Sequence, residues 1–353
     1  MTCGPEGAAG EDFSASAVYG PHNRSRHLQD DEAVWDHNCW DNVPWDEERE
    51  REAEEIVAQQ KAQSVLYQER HGNGEKAQQL RLIVEMERAK KKWLAPSPTE
   101  KDLEAAAQKW DDFYGQHERW FFKDRNWLYG EFREMYMETD MRLEGSDEEQ
   151  AFTFPVPRNI VEVGCGAGNT VFPLWKERRA DPNLEMIYAC DFSPRAVELV
   201  KSFREFDAGK MCAFVHDLSA ADEFPAAMVG KMDVITAIFV LSALKPEHIQ
   251  HAFDKLYRLL RPGGLLLFRD YGRYDLTQLR LKPERLIDDD FYFRGDGTTV
   301  YYFTTQQVRQ FAQASGFKVI KDSLHEDRRL ITNRLRKLKM YRNWIQGKFF
   351  KPE

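Results

Sequence analysis

Asn159-Ile-Val-Glu-Val-Gly-Cys-Gly-Ala-Gly-Asn-Thr170 reads as an apolar strand that runs directly into a loop with glycine at 164, 166 and 168. Glycine tolerates positive φ and carries no Cβ, so the backbone N–H groups of such a loop can come close to a bound molecule. The pattern from Thr170 to Arg178 predicts a helix. That places the loop at a strand's carboxyl end and a helix N-terminus, the crevice where open α/β sheets take their ligands. Three glycines alone suit a tight structural turn equally well, so the flanking residues have to decide.

The dinucleotide-binding fingerprint asks for Gly or Ala five residues after its first glycine, where a helix must pack closely on the strand. This chain has Asn169 there, and Glu162 puts a negative charge where a pyrophosphate would be repelled. A neutral or cationic ligand fits better. S-adenosylmethionine, with sulfonium and ammonium charges, is such a ligand, and Glu-x-Gly-x-Gly-x-Gly after a strand resembles the first motif of the Rossmann-like methyltransferases.

The segments that follow agree. Glu185 to Cys190 reads as a second strand ending in Asp191, ahead of a helix that starts around Ser193-Pro194. An acid at that place either accepts from both ribose hydroxyls or caps the helix. Met211 to Val215 reads as a third strand, after which Asp217 can accept from an adenine amino group and the Leu218 N–H can donate to the ring. Met232 to Val240 is almost wholly apolar, as a parallel strand covered on both faces requires, and Ile238 packs either on adenine or in the core. Arg261-Pro-Gly-Gly264 closes a helix before a fifth strand, Leu265 to Phe268, with Arg269-Asp-Tyr-Gly272 at its exit. After a helix from Gln306 to Ala314, Phe317 to Ser323 and Leu338 to Ile345 have no helix between them and predict a final antiparallel pair. The expected fold is α/β, a Rossmann-like class I methyltransferase with a seven-stranded, mostly parallel sheet and an N-terminal helical and aromatic extension.

A chain of 353 residues has room for that domain and one further small unit. Its five cysteines form no Cys-x-x-Cys pair and no zinc-like spacing with histidine, so no metal and a reduced compartment are expected. The longest apolar run, Val234 to Leu244, has 11 residues, too few to span a bilayer. Residues near the start are acidic and lack the apolar stretch of a secretory signal, which points to the cytoplasm, with the nucleus left open.

The formal charge of −9 is segregated, −15 over residues 1–150 and +6 over 151–353. Arg328 to Lys351 holds nine cations and no acid, interleaved with Tyr341, Trp344, Phe349 and Phe350. That is what attraction to a nucleic-acid backbone plus base stacking needs, and equally what a solvated basic edge with its aromatics on the sheet would show.

Residues 1–30 lack periodicity and are expected to be a disordered tail. Within 31–100, Trp35, Trp40 and Trp45 recur every five residues, a spacing that suits an irregular segment pinned to the body of the protein better than a partner-docking element. Asp46 to Glu69 and Glu75 to Trp93 read as charged helices facing solvent or connecting other parts, ended by Pro96-Ser-Pro98. Across 101–150, a helix capped by Ser97 or Thr99 runs through Ala107. It leads into Trp110, Phe113, Tyr114, Trp120, Phe121, Phe122, Lys123, Asp124, Arg125 and Trp127. That run either packs against the domain at 151–353 or forms a lid in which Trp110 and Tyr114 cover a cofactor while Lys123 and Arg125 approach substrate phosphates.

Taken together, Glu162 to Thr170, Cys190 to Pro194, Phe214 to Leu218, Ile238 to Ala243, Phe268 to Asp275, Phe293 to Thr298 and Phe121-Phe-Lys-Asp-Arg125 resemble the tRNA N3-methylcytidine methyltransferases. His37 to Asn42, Asp327-Arg-Arg329 and Met340 to Gln346 are similar to the cytosolic branch acting on threonine tRNA and, in some organisms, serine or arginine tRNA. The resemblance covers about residues 31–46 and 101–353 and leaves the acidic helices of 46–100 unaccounted for. It implies methylation of cytidine 32 in the anticodon loop, with S-adenosylmethionine as cofactor. The implied partners are the tRNA anticodon stem-loop and, as an open point, an ancillary protein such as an aminoacyl-tRNA synthetase.

By the same resemblance, Trp110, Tyr114, Gly164, Asp191, Asp217, Leu218 and Ile238 line the cofactor site. Arg269, Arg273 and Arg294, with Lys123 and Arg125, form an RNA-binding face that includes an insertion at about 273–300. Arg269 is equally suited to a structural ion pair with Asp270 or Glu162. Cytosine N3 has an in-plane lone pair, so transfer needs alignment rather than a covalent adduct or a metal. The product base is cationic, which makes Asp270 the catalytic candidate, with Tyr271 shaping the base pocket. N3 lies on the Watson–Crick edge, so the acceptor is an unpaired, extruded base. A methyltransferase for a small molecule or protein, or an inactive RNA-binding scaffold, are the alternatives.

Overall fold

The computed structural model describes residues 26–72, 74–90, 99–105, 108–117, 122–146 and 151–353. Residues 1–25 of the tail expected over 1–30, the break at Pro96-Ser-Pro98, and Trp93, Trp120 and Phe121 lie outside them, whereas Arg26 is held by backbone and side-chain hydrogen bonds to Asp41. Fourteen strands occur among the described residues: β1 (Cys39–Trp40), β2 (Thr139–Met141), β3 (Phe152–Phe154), β4 (Asn159–Val163), β5 (Met186–Asp191), β6 (Met211–Val215), β7 (Met232–Ile238), β8 (Leu260–Tyr271), β9 (Leu286–Asp288), β10 (Phe291–Phe293), β11 (Thr299–Tyr301), β12 (Lys318–Val319), β13 (His325–Asn333) and β14 (Leu338–Phe350).

The main sheet runs β1-β13-β14-β8-β7-β4-β5-β6, with β12 pairing β14. β6, β5, β4, β7 and β8 are mutually parallel, and β14 and β13 add antiparallel. Seven strands is the number expected, and two short ones, β1 and β12, extend the sheet. β7 is buried at every residue because helices cover both faces. The chain steps outward from β4 through β5 and β6, then returns to place β7 on the other side of β4. That reversal opens the crevice beside the glycine loop.

The final hairpin corrects one expectation. β14 pairs with β13 over nine residues, His325↔Gln346 through Asn333↔Leu338, whereas Phe317 to Ser323 supplies only the two-residue β12. β13 escapes a reading of hydrophobic periodicity because charged side chains occupy its inward positions: Asp327 is 4% exposed and Arg329 half-buried.

The tryptophan segment lies along the edge of β13, with Cys39 opposite Ile331 and Trp40 opposite Leu330. Trp40 packs with Val34, Val43 and Leu330, and its Nε1 donates to the Val34 carbonyl at 2.9 Å. Lys337 Nζ sits 4.8 Å from the Trp35 ring centroid, and the Arg328 guanidinium 5.0 Å from that of Trp45. Each tryptophan thus meets the hairpin, and the segment covers an otherwise open sheet edge.

The helices over 47–71 are docked rather than solvent-facing. Gln60 Nε2 donates to the carbonyls of Gln278 and Leu281 and its Oε1 accepts from Tyr292, while Ser64 Oγ donates to the Leu286 carbonyl at 2.7 Å. Lys61 pairs with Asp289 at 2.5 Å and His71 Nε2 lies 2.6 Å from Asp288. These helices brace the segment carrying β9, β10 and β11, a three-stranded antiparallel sheet. Apolar periodicity is blind to this interface because its buried contacts are polar groups meeting carbonyls.

Charges segregated along the sequence pair in space. Arg328 meets Glu50 and Glu326; Arg329 meets Asp41, Glu131 and Asp327; Arg342 meets Asp275; Lys348 meets Glu134. Four of the nine cations of the basic strip are therefore neutralised within the fold, with Phe349 wholly buried, while Arg334, Arg336, Lys337 and Lys339 stay exposed around the β13–β14 turn. Among the described residues no helix is long and apolar enough to cross a membrane.

Candidate functional site

The carboxyl ends of β6, β5, β4 and β7 open onto a cavity of about 290 Å³. Trp110, Tyr114, Gly164, Asp191, Asp217 and Leu218 line it, together with Phe239 and Val240. Ile238 does not. Its side chain is 1% exposed and packs with Val234 and Leu265 on one face of the sheet, so the next two residues form the wall instead.

The glycine loop takes the conformation its sequence implies: Gly164 has φ +64 and Gly166 φ +51. A Cβ at 166 would lie 2.5 Å from the Tyr114 hydroxyl, and one at 164 would collide with Val240. Tyr114 reaches the loop from the helix Gln108–His117, where the Trp110 ring stacks on it at 6.2 Å. Asp111 ties this helix down, accepting from Ser193 Oγ at 2.5 Å and Arg195 N at 3.2 Å. A carboxylate there faces the positive end of the helix Pro194–Lys201. Sequence reasoning passed over Asp111 because nothing near it in the chain signals its partner.

Asp191 is 5% exposed and accepts from Gly166 N at 2.9 Å and Ser193 N at 3.0 Å. Burial pushes its pKa up to about 6 against those backbone donors. Asp217 accepts at one oxygen from Ser219 N and Oγ, and Lys255 Nζ pins the same loop by donating to the carbonyls of Asp217 and Ala220. His216, also on the cavity wall, stacks on Phe224 at 3.9 Å. Burial, with the Lys255 charge, lowers its pKa to about 4, so the ring is neutral near pH 7.

Glu162 is buried beneath the loop, and burial pushes its pKa up to about 7. Arg125 lies 3.3 Å from its Oε1, donates to Thr170 Oγ1 at 3.0 Å, and hydrogen-bonds through its own N–H to the Asn169 carbonyl. It therefore supports the cofactor loop from behind rather than approaching phosphates. Lys123 is exposed.

Three other chosen residues sit where their expected roles do not reach. Asp270 is fully enclosed, its oxygens accepting from Ser242 N and Tyr271 N, each at 2.9 Å. It braces the turn after β7 and does not face the cavity. Arg269 is buried against Asp327 and Gln346, between the Trp127 and Trp344 rings at 4.8 and 4.7 Å. Arg273 grips both oxygens of Asp290 at 3.0 Å through Nε. In each case the neutralising partner arrives from another part of the chain; the Arg269 side chain is enclosed, while that of Arg273 stays partly exposed beside Asp290. Arg294 differs. Its guanidinium lies 6.0 Å from the Trp110 ring centroid and 5.7 Å from that of Tyr271, joining the lid helix to the end of β8.

Asp270→Asn is expected to destabilise the protein by about 1–3 kcal/mol, because an amide NH2 must then confront one of two backbone N–H groups. Urea unfolding measures this, and an unchanged midpoint would contradict the bracing role.

A methyltransferase-domain family matches residues 161–266. The tRNA N(3)-cytidine methyltransferase METTL2 of Danio rerio is 40% identical, the alignment covering 98% of this chain and 94% of that protein. Mettl2 of Drosophila melanogaster, named a tRNA N(3)-methylcytidine methyltransferase, is 41% identical over 93% of this chain and 88% of its own. This chain belongs to the tRNA N(3)-cytidine methyltransferase family. The tRNA(Thr) (cytosine(32)-N(3))-methyltransferase of Saccharomyces cerevisiae is 39% identical over 93% of this chain and 45% of that protein.

The methyl donor of this family member is S-adenosylmethionine, and the cavity fits it. Trp110 Nε1 and His216 Nε2, on residues of the cavity wall, are buried polar atoms without a protein partner, and a cationic ligand suits a cavity whose lining acids are Asp191 and Asp217. Asp191 would hold its ribose, Asp217 and the Leu218 N–H its adenine, and the Gly164 loop its amino-acid end.

Proposed function

We propose that this protein methylates N3 of cytidine 32 in the anticodon loop of tRNA, with threonine tRNA as first substrate and serine or arginine tRNA as further ones. The observation that carries the reading is the convergence of Trp110, Tyr114, Gly164, Asp191, Asp217 and Leu218 on one cavity, in a chain similar to tRNA N(3)-cytidine methyltransferases along almost its whole length.

When bound, S-adenosylmethionine supplies an electrophilic methyl group. Cytosine N3 needs no deprotonation before attack, so the protein's tasks are alignment and exclusion of water. Trp110 and Tyr114 close one side of the cavity, and Asp111 holds their helix in place. Methyl transfer relocates a positive charge within the site rather than creating one. Aromatic faces at Trp110 and Phe239 tolerate that charge in either position, which is why the enclosed Asp270 is not needed as a counterion. Exposed Lys123 and the cations of the β13–β14 turn are available to tRNA phosphates. A cytoplasmic location and help from a cognate aminoacyl-tRNA synthetase complete the reading.

The test is incubation of purified protein with labelled S-adenosylmethionine and unmodified threonine-tRNA transcript, followed by nucleoside analysis. N3-methylcytidine at position 32 is expected. Its absence, both alone and with cell extract supplying partners, would falsify the proposal.

A further inference from the structure

Across the sheet, the strand ends meet the cavity in a fixed order: Asp217 after β6, Asp191 at β5, Gly164 after β4 and Phe239 after β7. Under the function proposed above, the first three take the donor's adenine, ribose and amino-acid end in that sequence. The acceptor has to lie beyond the last of them, in line with the methyl group, which is the position of the next strand end. We infer that Phe239 is the surface on which the acceptor cytosine stacks.

The backbone at Phe239 points the same way. Its φ is +56, a left-handed conformation that is strained for a non-glycine residue. The surroundings enforce it: Phe239 N donates to the Arg269 carbonyl at 2.8 Å, while the β7–β8 pairing ends at Ile238↔Arg269. The turn separates three consecutive side chains. Ile238 goes into the core, Val240 fills the space above Gly164, and Phe239 is left half-buried on the cavity wall.

The ring is also held. Tyr271 lies 5.0 Å from it, Trp344 meets it edge-on at 6.0 Å, and the Arg125 guanidinium is 5.9 Å from its centroid. A fixed aromatic face accepts any base at little entropic cost and also accommodates the cationic product. The strained backbone is thereby matched to a task at the reacting end of the cavity.

The test uses the full chain with Phe239→Leu, Phe239→Tyr and Phe239→Gly. Donor affinity is read by calorimetry, and single-turnover transfer on threonine-tRNA transcript. Stacking is read by quenching of an anticodon stem-loop that carries pyrrolo-cytosine at position 32. Phe239→Leu is expected to slow transfer about 10- to 100-fold and abolish the quenching, with donor affinity within about threefold of wild type. Phe239→Tyr should keep both. Glycine suits this φ, so Phe239→Gly repeats the test in a relaxed backbone if the leucine variant folds poorly. Donor affinity falling in step with transfer would overturn the inference by making Phe239 a wall of the donor site, and so would wild-type transfer by Phe239→Leu. Quenching by wild type without any methylation would count against the proposed reaction alone, because stacking would still be observed.

Discussion

Replacing Arg269 with alanine is expected to cost about 3–5 kcal/mol of stability, because it strands a buried carboxylate. The Arg269 side chain is 2% exposed and that of Asp327 5%. Burial works against the Asp327 carboxylate, yet the guanidiniums of Arg269 and Arg329 hold its pKa below the usual carboxylate range. Gln346 links the cluster to Glu131, which also pairs with Arg329. The network thus joins β8, β13, β14 and the segment around residue 131. Equilibrium urea unfolding should show the loss for Arg269→Ala and a similar one for Asp327→Ala. The pair Arg269→Met with Asp327→Leu should cost clearly less than the two single losses added, since no charge is then left unpaired. A single-variant loss under about 1 kcal/mol would mean that water reaches the site.

Asp191→Ala should weaken S-adenosylmethionine binding by about 100-fold or more, since two carboxylate hydrogen bonds to the ribose hydroxyls contribute about 1.5–3 kcal/mol each and each 1.4 kcal/mol is tenfold. It also releases Gly166 N from the loop. Titration calorimetry measures the change, and a loss below about fivefold would remove Asp191 from the ribose position. The pH dependence has two opposite signs. Burial raises Asp191 and Asp270 to about 6 and Glu162 to about 7. In the free protein these groups hold protons that the unfolded chain has already released above about pH 4. Stability contributed by these groups is therefore greatest below that value, falls as pH rises through about 6 to 7, and then levels off. Donor affinity should move the other way, weakening as pH drops through about 6 and Asp191 takes up its proton. Affinity that stays flat between about pH 8 and pH 5 would sink the assignment.

Six of the seven residues expected at the cofactor site line the cavity, and the signals of Gly164, Asp191 and Asp217 are local. Glycine at 164 and 166 is dictated by positive φ and close contact, and Asp191 and Asp217 stand directly after apolar strands whose composition betrays a covered parallel sheet. Ile238 missed by one position, because a left-handed residue at 239 interrupts the alternation by which strand side chains choose their face. The RNA-facing set fared differently. Arg125 and Arg273 look like free cations in sequence, yet they pair with Glu162 and Asp290, and Arg269, open to a pair with Asp270 or Glu162, meets Asp327 instead.

What this sequence determined by itself is the α/β class, the succession of strands and helices from β4 to β8, and the glycine loop after β4, because each follows from backbone sterics and burial within a few consecutive residues. Only the tertiary structure decided which charges remain available to a substrate, that Asp270 braces a turn, that the acidic helices grip the β9–β11 segment, and that Phe239 faces the cavity. Those outcomes depend on electrostatic pairing and contact between segments tens to hundreds of residues apart, and such distances leave no periodicity in the chain.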